Sequence, residues 1–259
     1  MSDIKDEIIG LVRDLVEVVV IIGLIIIFSR LFLGAHILLP LVAVTSCSMY
    51  HQGSLWNGAG CHPYSSVNWD SWLINHNISK EKISGFPFQN GFSMGDMVLT
   101  ITPDGKGVIL PIFPETRLGD VVIYNRDRLH KGNEPIIHRV VGIVRIRNWE
   151  INNSEGTLDC LTYDDFNRIY IPYIKKCITG EYCPYRDFPK SGDFNFYITK
   201  GDNNPYSDQC GANRGIALPV TDRQLVARGF IRIPYIGWLK IALNKIIPCL
   251  LYTSPSPRD

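Results

Sequence analysis

The chain has 259 residues and a formal net charge of +1, from 26 Lys and Arg against 25 Asp and Glu. That length holds one sizeable domain, alone or together with a membrane segment. The balanced charge and the lack of a long Lys/Arg block argue against nucleic acid as a partner, because phosphate binding requires a basic stripe.

The first predicted element is a transmembrane anchor at residues 15–34. Between Leu15 and Leu33 every residue is apolar except Glu17, Ser29 and Arg30. About 20 mostly apolar residues are enough to cross the hydrocarbon of a bilayer, and Arg30 can extend its head group to the membrane surface. A retained anchor is favoured over a cleaved signal peptide, since no A-x-A cleavage site follows cleanly.

Residues 35–235 are predicted to form a mostly β domain. Short β-branched and aromatic runs alternate there with Gly, Pro, Asn and Asp, which is typical of strands and turns. Two polar stretches, at about 53–90 and 149–191, are interpreted as insertions into this domain. The predicted strands are Leu41–Cys47, Met97–Ile101, Val121–Tyr124, Ile136–Val144, Phe194–Thr199 and Val226–Ile233.

The C-terminal part of the chain divides into two segments. Residues 236–248 form a mostly apolar segment that is interrupted by Lys240 and Lys245. This segment is expected to be either interfacial or the start of a second span. Residues 249–259 resemble a translated sequencing adapter and are predicted to be a non-native tail.

Seven cysteines lie at positions 47, 61, 160, 177, 183, 210 and 249, without a C-x-x-C pair. If the β domain is extracytoplasmic, some of Cys61, Cys160, Cys177, Cys183 and Cys210 can pair, but the sequence does not give the connectivity. A zinc site at Cys61 and His62 is disfavoured because no second ligand pair has the usual spacing.

Ser48 is the candidate nucleophile, at the end of the predicted strand Leu41–Cys47. Side chains alternate along a strand, so Ser46 and Ser48 are expected on one face and Cys47 on the other. Cys47 is therefore interpreted as a small buried hydrophobe. Without its neighbouring motifs, Ser48 would be interpreted as an ordinary serine in a turn.

Four short motifs occur in a characteristic order. They are Ser46-Cys47-Ser48-Met49, Gly119-Asp120-Val121-Val122, Ile137-His138-Arg139-Val140 and Thr199-Lys200-Gly201-Asp202-Asn203-Asn204. In this order the chain resembles type I signal peptidases, from the anchor to about Ile241. The histidine of the third motif is similar to the archaeal and endoplasmic-reticulum branch, since bacterial relatives carry lysine there. One departure is Tyr50-His51, because most relatives have proline two residues after the Ser-Met pair.

The resemblance implies a signal-peptidase-like fold and a Ser-His-Asp site. Ser48 is expected to be the nucleophile and His138 the general base, because an imidazole can take the serine proton near neutral pH. The backbone N–H of Ser48 and, by resemblance, the hydroxyl of Ser46 are expected to bind the oxyanion.

Two carboxylates are candidates for the acid that orients His138. Asp202 lies in a turn-forming motif, which explains it as a loop former. Asp208 lacks such an explanation, and by resemblance the aspartate at its position is the triad acid. Asp208 is therefore the predicted orienter and Asp202 the shaper of its loop. Lys200 is interpreted as a solvated lysine at a strand end, and His51 as a loop histidine.

The resemblance also implies substrate and location. Residues 1–14 are expected in the cytoplasm and the catalytic domain outside, in contact with membrane lipid. The substrates are expected to be secretory preproteins arriving through the translocon and cut after small residues at −1 and −3, with no metal or organic cofactor. The rivals are a related membrane serine protease that processes a pilin or transfer protein, and a non-catalytic, membrane-anchored β-rich binding module.

Overall fold

The computed structural model describes residues 2–34, 40–51, 61–64, 68–105, 114–132, 134–211, 215–239 and 241–242. Within these ranges the protein is mostly β, as predicted. Eight antiparallel strands form one curled, half-barrel sheet, and a long apolar helix precedes it.

The N-terminal helix α1 spans Ser2–Leu33. Its segment Glu7–Leu33 is long and apolar enough to cross a membrane; at 1.5 Å per residue it extends about 40 Å, against a hydrocarbon core of about 30 Å. The hydroxyl of Ser29 donates to the carbonyl of Ile25 at 2.6 Å, so the polar residue inside the apolar run is satisfied within the helix. The predicted anchor at 15–34 thus lies almost entirely within one continuous helix.

The sheet has the strand order β1-β2-β8-β3-β4-β6-β7, and β5 pairs with β4. The strands are β1 Leu41–Ala43, β2 Met97–Ile101, β3 Val121–Tyr124, β4 Ile136–Arg147, β5 Glu150–Gly156, β6 Phe194–Lys200, β7 Val220–Thr221 and β8 Leu225–Ile233. β1 is one edge of this sheet, since it pairs only with β2 among the described strands. The end of α1 contacts the sheet nearby, where the N–H of Thr102 donates to the carbonyl of Leu33 at 2.8 Å.

Strand prediction was correct for β2 and β3 and wrong at the end of β1. The strand was expected to reach Cys47 but ends at Ala43. Residues 46–49 instead form a turn, in which the N–H of Tyr50 donates to the carbonyl of Cys47 at 3.1 Å. The alternation argument for Ser46, Cys47 and Ser48 therefore does not apply, because these residues are not in an extended strand.

The two predicted insertions carry structure of their own. In the described part of the first lie α2 Trp69–Asn75 and α3 Lys80–Ser84. The second holds β5 and a helical stretch in three parts: α4 Tyr163–Asp165, a π-helical turn Phe166–Tyr170 and α5 Ile171–Thr179. A capping box at Thr162 and Asp165 begins this stretch, and left-handed Gly180 ends it.

Both insertions help to build the main core. Leu73 and Phe86 from the first, and Phe166 and Ile174 from the second, are buried in the same cluster as the strand residues. Burying a large apolar side chain is worth about 1.5–3 kcal/mol. The described parts of both insertions are therefore integral layers of the domain. Of the C-terminal segment 236–248 only residues 236–239 and 241–242 are described, and the tail 249–259 lies outside the described residues.

Three disulfides join the cysteines of the β domain: Cys47–Cys61, Cys160–Cys210 and Cys177–Cys183. The interpretation of Cys47 as a simple hydrophobe was wrong. Its side chain is buried, but it is covalently tied to Cys61. Cys249 lies outside the described residues.

Candidate active site

The turn at 46–49 presents two serine hydroxyls after β1. Apolar residues fix the chain on both sides of it, because Val44 and Met49 are buried together against Phe92. The carbonyl of Met49 also accepts from the N–H of Phe92 at 2.8 Å. Held in this way, the hydroxyls of Ser46 and Ser48 lie 3.1 Å apart, within hydrogen-bonding distance.

His138 lies near the start of β4, opposite Val122 of β3. Its ring is buried, with 4% of the side chain exposed, and Nδ1 lies 2.7 Å from Oδ2 of Asp208. A carboxylate can only accept, so Nδ1 carries the proton. In the neutral ring this leaves a lone pair on Nε2, which is the tautomer that a general base requires.

Asp208 receives two further hydrogen bonds on the same oxygen. The hydroxyls of Tyr124 and Thr199 both donate to Oδ2 at 2.7 Å. Burial, followed by the nearby negative charge of Asp208, raises the pKa of Tyr124 well above its usual range, so the phenol remains a donor. The backbone N–H of Asp208 is bound to the carbonyl of Thr199 at 2.7 Å. Strands β3 and β6 therefore fix the carboxylate that orients His138.

Gly201 brings the serine turn and the His138 ring together. The register that sets Arg139 opposite Lys200 places Gly201 beside His138. A Cβ at Gly201 would lie 2.8 Å from Nε2 of His138 and 2.8 Å from the carbonyl oxygen of Ser48. Both atoms therefore lie close to Gly201, on the side where any other residue would carry its Cβ.

Ser46, Ser48 and His138 line one cavity of about 260 Å³. Most of its other lining side chains are aliphatic, and they come from β1, β3, β4 and the segment that follows Gly215: Val42, Ala43, Ile123, Ile136, Ile137 and Ile216. Arg126 and Glu134 add one charge of each sign. The cavity can thus accept small apolar groups next to the serine hydroxyls.

Asp202 is bound by partners other than the His138 ring. Its carboxylate receives two bonds from Arg139, Nε to Oδ1 at 2.9 Å and Nη2 to Oδ2 at 2.7 Å, and one from Nε2 of His51 at 2.7 Å. Burial by itself would raise the pKa of Asp202, but the Arg139 charge and the His51 hydrogen bond outweigh it and hold the pKa well below its usual range. Of the two candidate acids, the structure places Asp208 on His138 and Asp202 in a separate ion pair.

The sequence predicted no role for Asn203, although the residue belongs to the fourth motif. In the structure it binds two backbone carbonyls of the serine turn. Its backbone N–H donates to the carbonyl of Ser48 at 2.8 Å. Its side-chain Nδ2 donates to the carbonyls of Cys47 at 3.0 Å and His62 at 2.9 Å. Oδ1 accepts from the N–H of Tyr64 at 2.9 Å. The amide thus bridges the same two segments that the Cys47–Cys61 disulfide joins.

Lys200 was interpreted as solvated, and this was wrong. Only 3% of the residue is exposed. Nζ donates to the carbonyls of Gly201 at 3.0 Å and Asp202 at 3.3 Å, and it lies 4.7 Å from the ring centre of Trp72. Burial lowers the pKa of Lys200 to about 8. Helix α2, which the sequence did not reveal, supplies the covering indole.

His51 lies outside the helices and strands, as predicted, but it is buried, with only 5% exposed. Cys61, considered as a zinc ligand, is in a disulfide. Among the described residues, no group of three His, Cys, Asp or Glu side chains could hold a metal ion.

Comparisons with models of protein families and with curated proteins found no match to this chain.

Proposed function

We propose that the chain is a membrane-bound serine endopeptidase of the type I signal peptidase kind, with Ser48 as nucleophile. The observation that carries this proposal is the Asp208–His138 pair, whose ring shares one cavity with the hydroxyls of Ser46 and Ser48. The four ordered motifs of the sequence support it independently, because they contain Ser46, Ser48 and His138.

The proposed reaction is acyl transfer. His138 takes the Ser48 proton as the hydroxyl attacks the scissile carbonyl, and it then donates that proton to the leaving amine. Water hydrolyses the acyl-enzyme by the same base. The Ser48 N–H and the Ser46 hydroxyl, 3.1 Å from the Ser48 hydroxyl, are the proposed donors to the oxyanion.

Edge strand β1 supports a peptide substrate. An extended segment is proposed to add to the sheet next to β1, which brings alternate side chains toward the cavity next to Ser48. The 260 Å³ volume and the aliphatic lining of the cavity favour small, apolar side chains at the two substrate positions that point toward it, −1 and −3. Secretory preproteins, cut after small residues at −1 and −3, are the proposed substrates.

An extracytoplasmic location is proposed for the catalytic domain. Three disulfides favour an oxidising compartment. Helix α1 is proposed as a retained anchor, with residues 1–14 in the cytoplasm. The contact between Leu33 and Thr102 keeps the sheet close to the end of this anchor, and so near a membrane-borne substrate.

The test is cleavage of a model preprotein by the full chain in detergent, together with labelling by a serine-directed acylating probe. Ser48→Ala and His138→Ala should abolish both signals. Ser154→Ala and His76→Ala, which change a partly exposed serine and a histidine outside the cavity, should preserve them. Undiminished cleavage by Ser48→Ala overturns the proposal, and absence of both signals in the unmodified chain favours the binding module. Cleavage restricted to a pilin or transfer protein favours the related protease.

A further inference from the structure

His51 follows the serine turn by three residues and ends the described segment 40–51. Its Nδ1 lies 2.8 Å from the backbone carbonyl of Gln89, and its Nε2 lies 2.7 Å from Oδ2 of Asp202. A backbone carbonyl can only accept a hydrogen bond, and so can an ionised carboxylate. Both ring nitrogens must therefore carry protons, which makes His51 an imidazolium.

The surroundings of His51 suit a buried cation with a defined place. Its ring stacks on Trp69 with centroids 4.6 Å apart, and the Arg139 guanidinium lies 4.9 Å from the centre of the same indole. The face of an indole attracts cations. Gly91 packs against the imidazole, since a Cβ there would lie 2.6 Å from Cδ2 of His51.

The charged groups that face this cluster are Asp202, Arg139 and Lys200. Arg139 binds the same carboxylate as His51, and Lys200 binds the backbone carbonyl of Asp202. The Asp202 carboxylate thus binds His51 and Arg139 together, and Lys200 lies on the backbone carbonyl of the same residue.

His51 also connects the two loops that the proposed chemistry needs. It belongs to the segment that carries Ser48, and its partner Asp202 lies between Gly201 and Asn203. Nε2 of His138 and the Ser48 carbonyl oxygen both lie close to Gly201, and the N–H of Asn203 donates to that carbonyl. A shift of Asp202 relative to His51 would therefore change the position of Ser48 relative to His138.

We propose that His51 is a positioning residue whose doubly protonated ring clamps the Ser48 turn onto the Gly201–Asn203 loop. This inference rests on the proposed peptidase function. Because the clamp acts on the place of Ser48 and not on substrate binding, its loss should lower kcat and leave KM nearly unchanged.

The experiment compares kcat and KM at one pH for the full chain in detergent, with a model preprotein as substrate. In His51→Gln the amide can still donate to Asp202, so most of kcat should be kept. His51→Leu cannot donate, and kcat should drop about tenfold to a hundredfold, as for a lost hydrogen bond to a charged group. His76→Gln, which alters a partly buried histidine beside a different carboxylate, should keep the unmodified kcat and KM.

A direct readout does not depend on activity: long-range proton–nitrogen NMR of the Ser48→Ala chain, with the His51 signals assigned from His51→Gln. Protons on both His51 nitrogens at the pH of the assay support the inference, and a singly protonated ring overturns it. An unchanged kcat in His51→Leu also overturns it. Absence of cleavage by the unmodified chain overturns the proposed function and, with it, the positioning role.

Discussion

The carboxylate of Asp208 lies 2.7 Å from Nδ1 of His138, although 70 residues separate them in the chain. The contact depends on β6, which pairs with β4 and carries Thr199 next to the same carboxylate oxygen. The partner oxygen, Oδ1 of Asp208, is buried and accepts no hydrogen bond within the described residues. Among the described residues, the hydrogen bonds to this carboxylate therefore all reach the oxygen that faces His138.

Asp208→Asn is expected to lower kcat by about a thousandfold or more, because an amide favours the wrong tautomer of the histidine. Shape and volume are kept, so the free energy of unfolding should change little. Preprotein cleavage and thermal unfolding in detergent measure the two effects. A kcat within tenfold of the unmodified chain would contradict the assignment of Asp208 as orienter.

Asp202→Asn is expected to lose more stability and less kcat than Asp208→Asn. It leaves the buried Arg139 charge without its counter-ion, and breaking a buried ion pair on one side typically costs about 3–5 kcal/mol. Since the folded state holds the pKa of Asp202 below its unfolded value, the stabilisation is present above about pH 4 and is lost as the pH falls. The variant should therefore lose stability at neutral pH and show a weaker acid dependence; a larger kcat loss than in Asp208→Asn would reverse the two roles.

Ser48 and His138 could be proposed from the sequence because each lies in a short local motif, whereas Asp208 was chosen by resemblance. Alternating or continuous apolar runs defined β2 and β3. What the sequence did not reveal depends on contacts between separate segments. Glu150–Gly156 is polar, and it becomes a strand because β4 offers a long partner edge. Lys200 and His51 pack against Trp72 and Trp69 of α2, a helix that the sequence did not predict.

Ser46→Ala tests the second proposed oxyanion donor. Removal of one such donor typically lowers kcat by about a hundredfold or more. The hydroxyl's partner is Ser48, and Ser46 is exposed to solvent, so stability should be unaffected. Steady-state kinetics should show a loss in kcat with KM nearly constant, and an unchanged kcat would remove Ser46 from the site.

The Cys47–Cys61 disulfide changes the expectation for Cys47, whose loss the sequence alone would leave harmless. Cys47→Ala with Cys61→Ala opens a loop of 14 residues, which is expected to cost about 3 kcal/mol of stability and to lower kcat, because the residue before Ser48 loses its tether. The matched control is Cys177→Ala with Cys183→Ala, which opens a bridge in the second insertion. It should lower stability and leave kcat intact; equal kinetics in both pairs would show that the first bridge has no role in placing Ser48.

Gly201→Ala isolates the close approach between the serine turn and the histidine. The added methyl group would lie 2.8 Å from Nε2 of His138, 2.8 Å from the carbonyl oxygen of Ser48 and 2.6 Å from Nδ2 of Asn204. Real Cβ atoms do not approach other atoms so closely, so the turn and the ring must move apart. A displacement of about 1 Å between reacting groups can cost about a hundredfold in rate, and we expect a kcat loss of that order with a smaller change in unfolding temperature. The control is Gly85→Ala at the end of α3, where the nearest atom lies 3.5 Å away in ordinary contact, and it should retain full activity. If Gly201→Ala cleaves the model preprotein as fast as Gly85→Ala, then the space at Gly201 does not set the position of Ser48 relative to His138. The proposed pairing of Ser48 with His138 must then be abandoned.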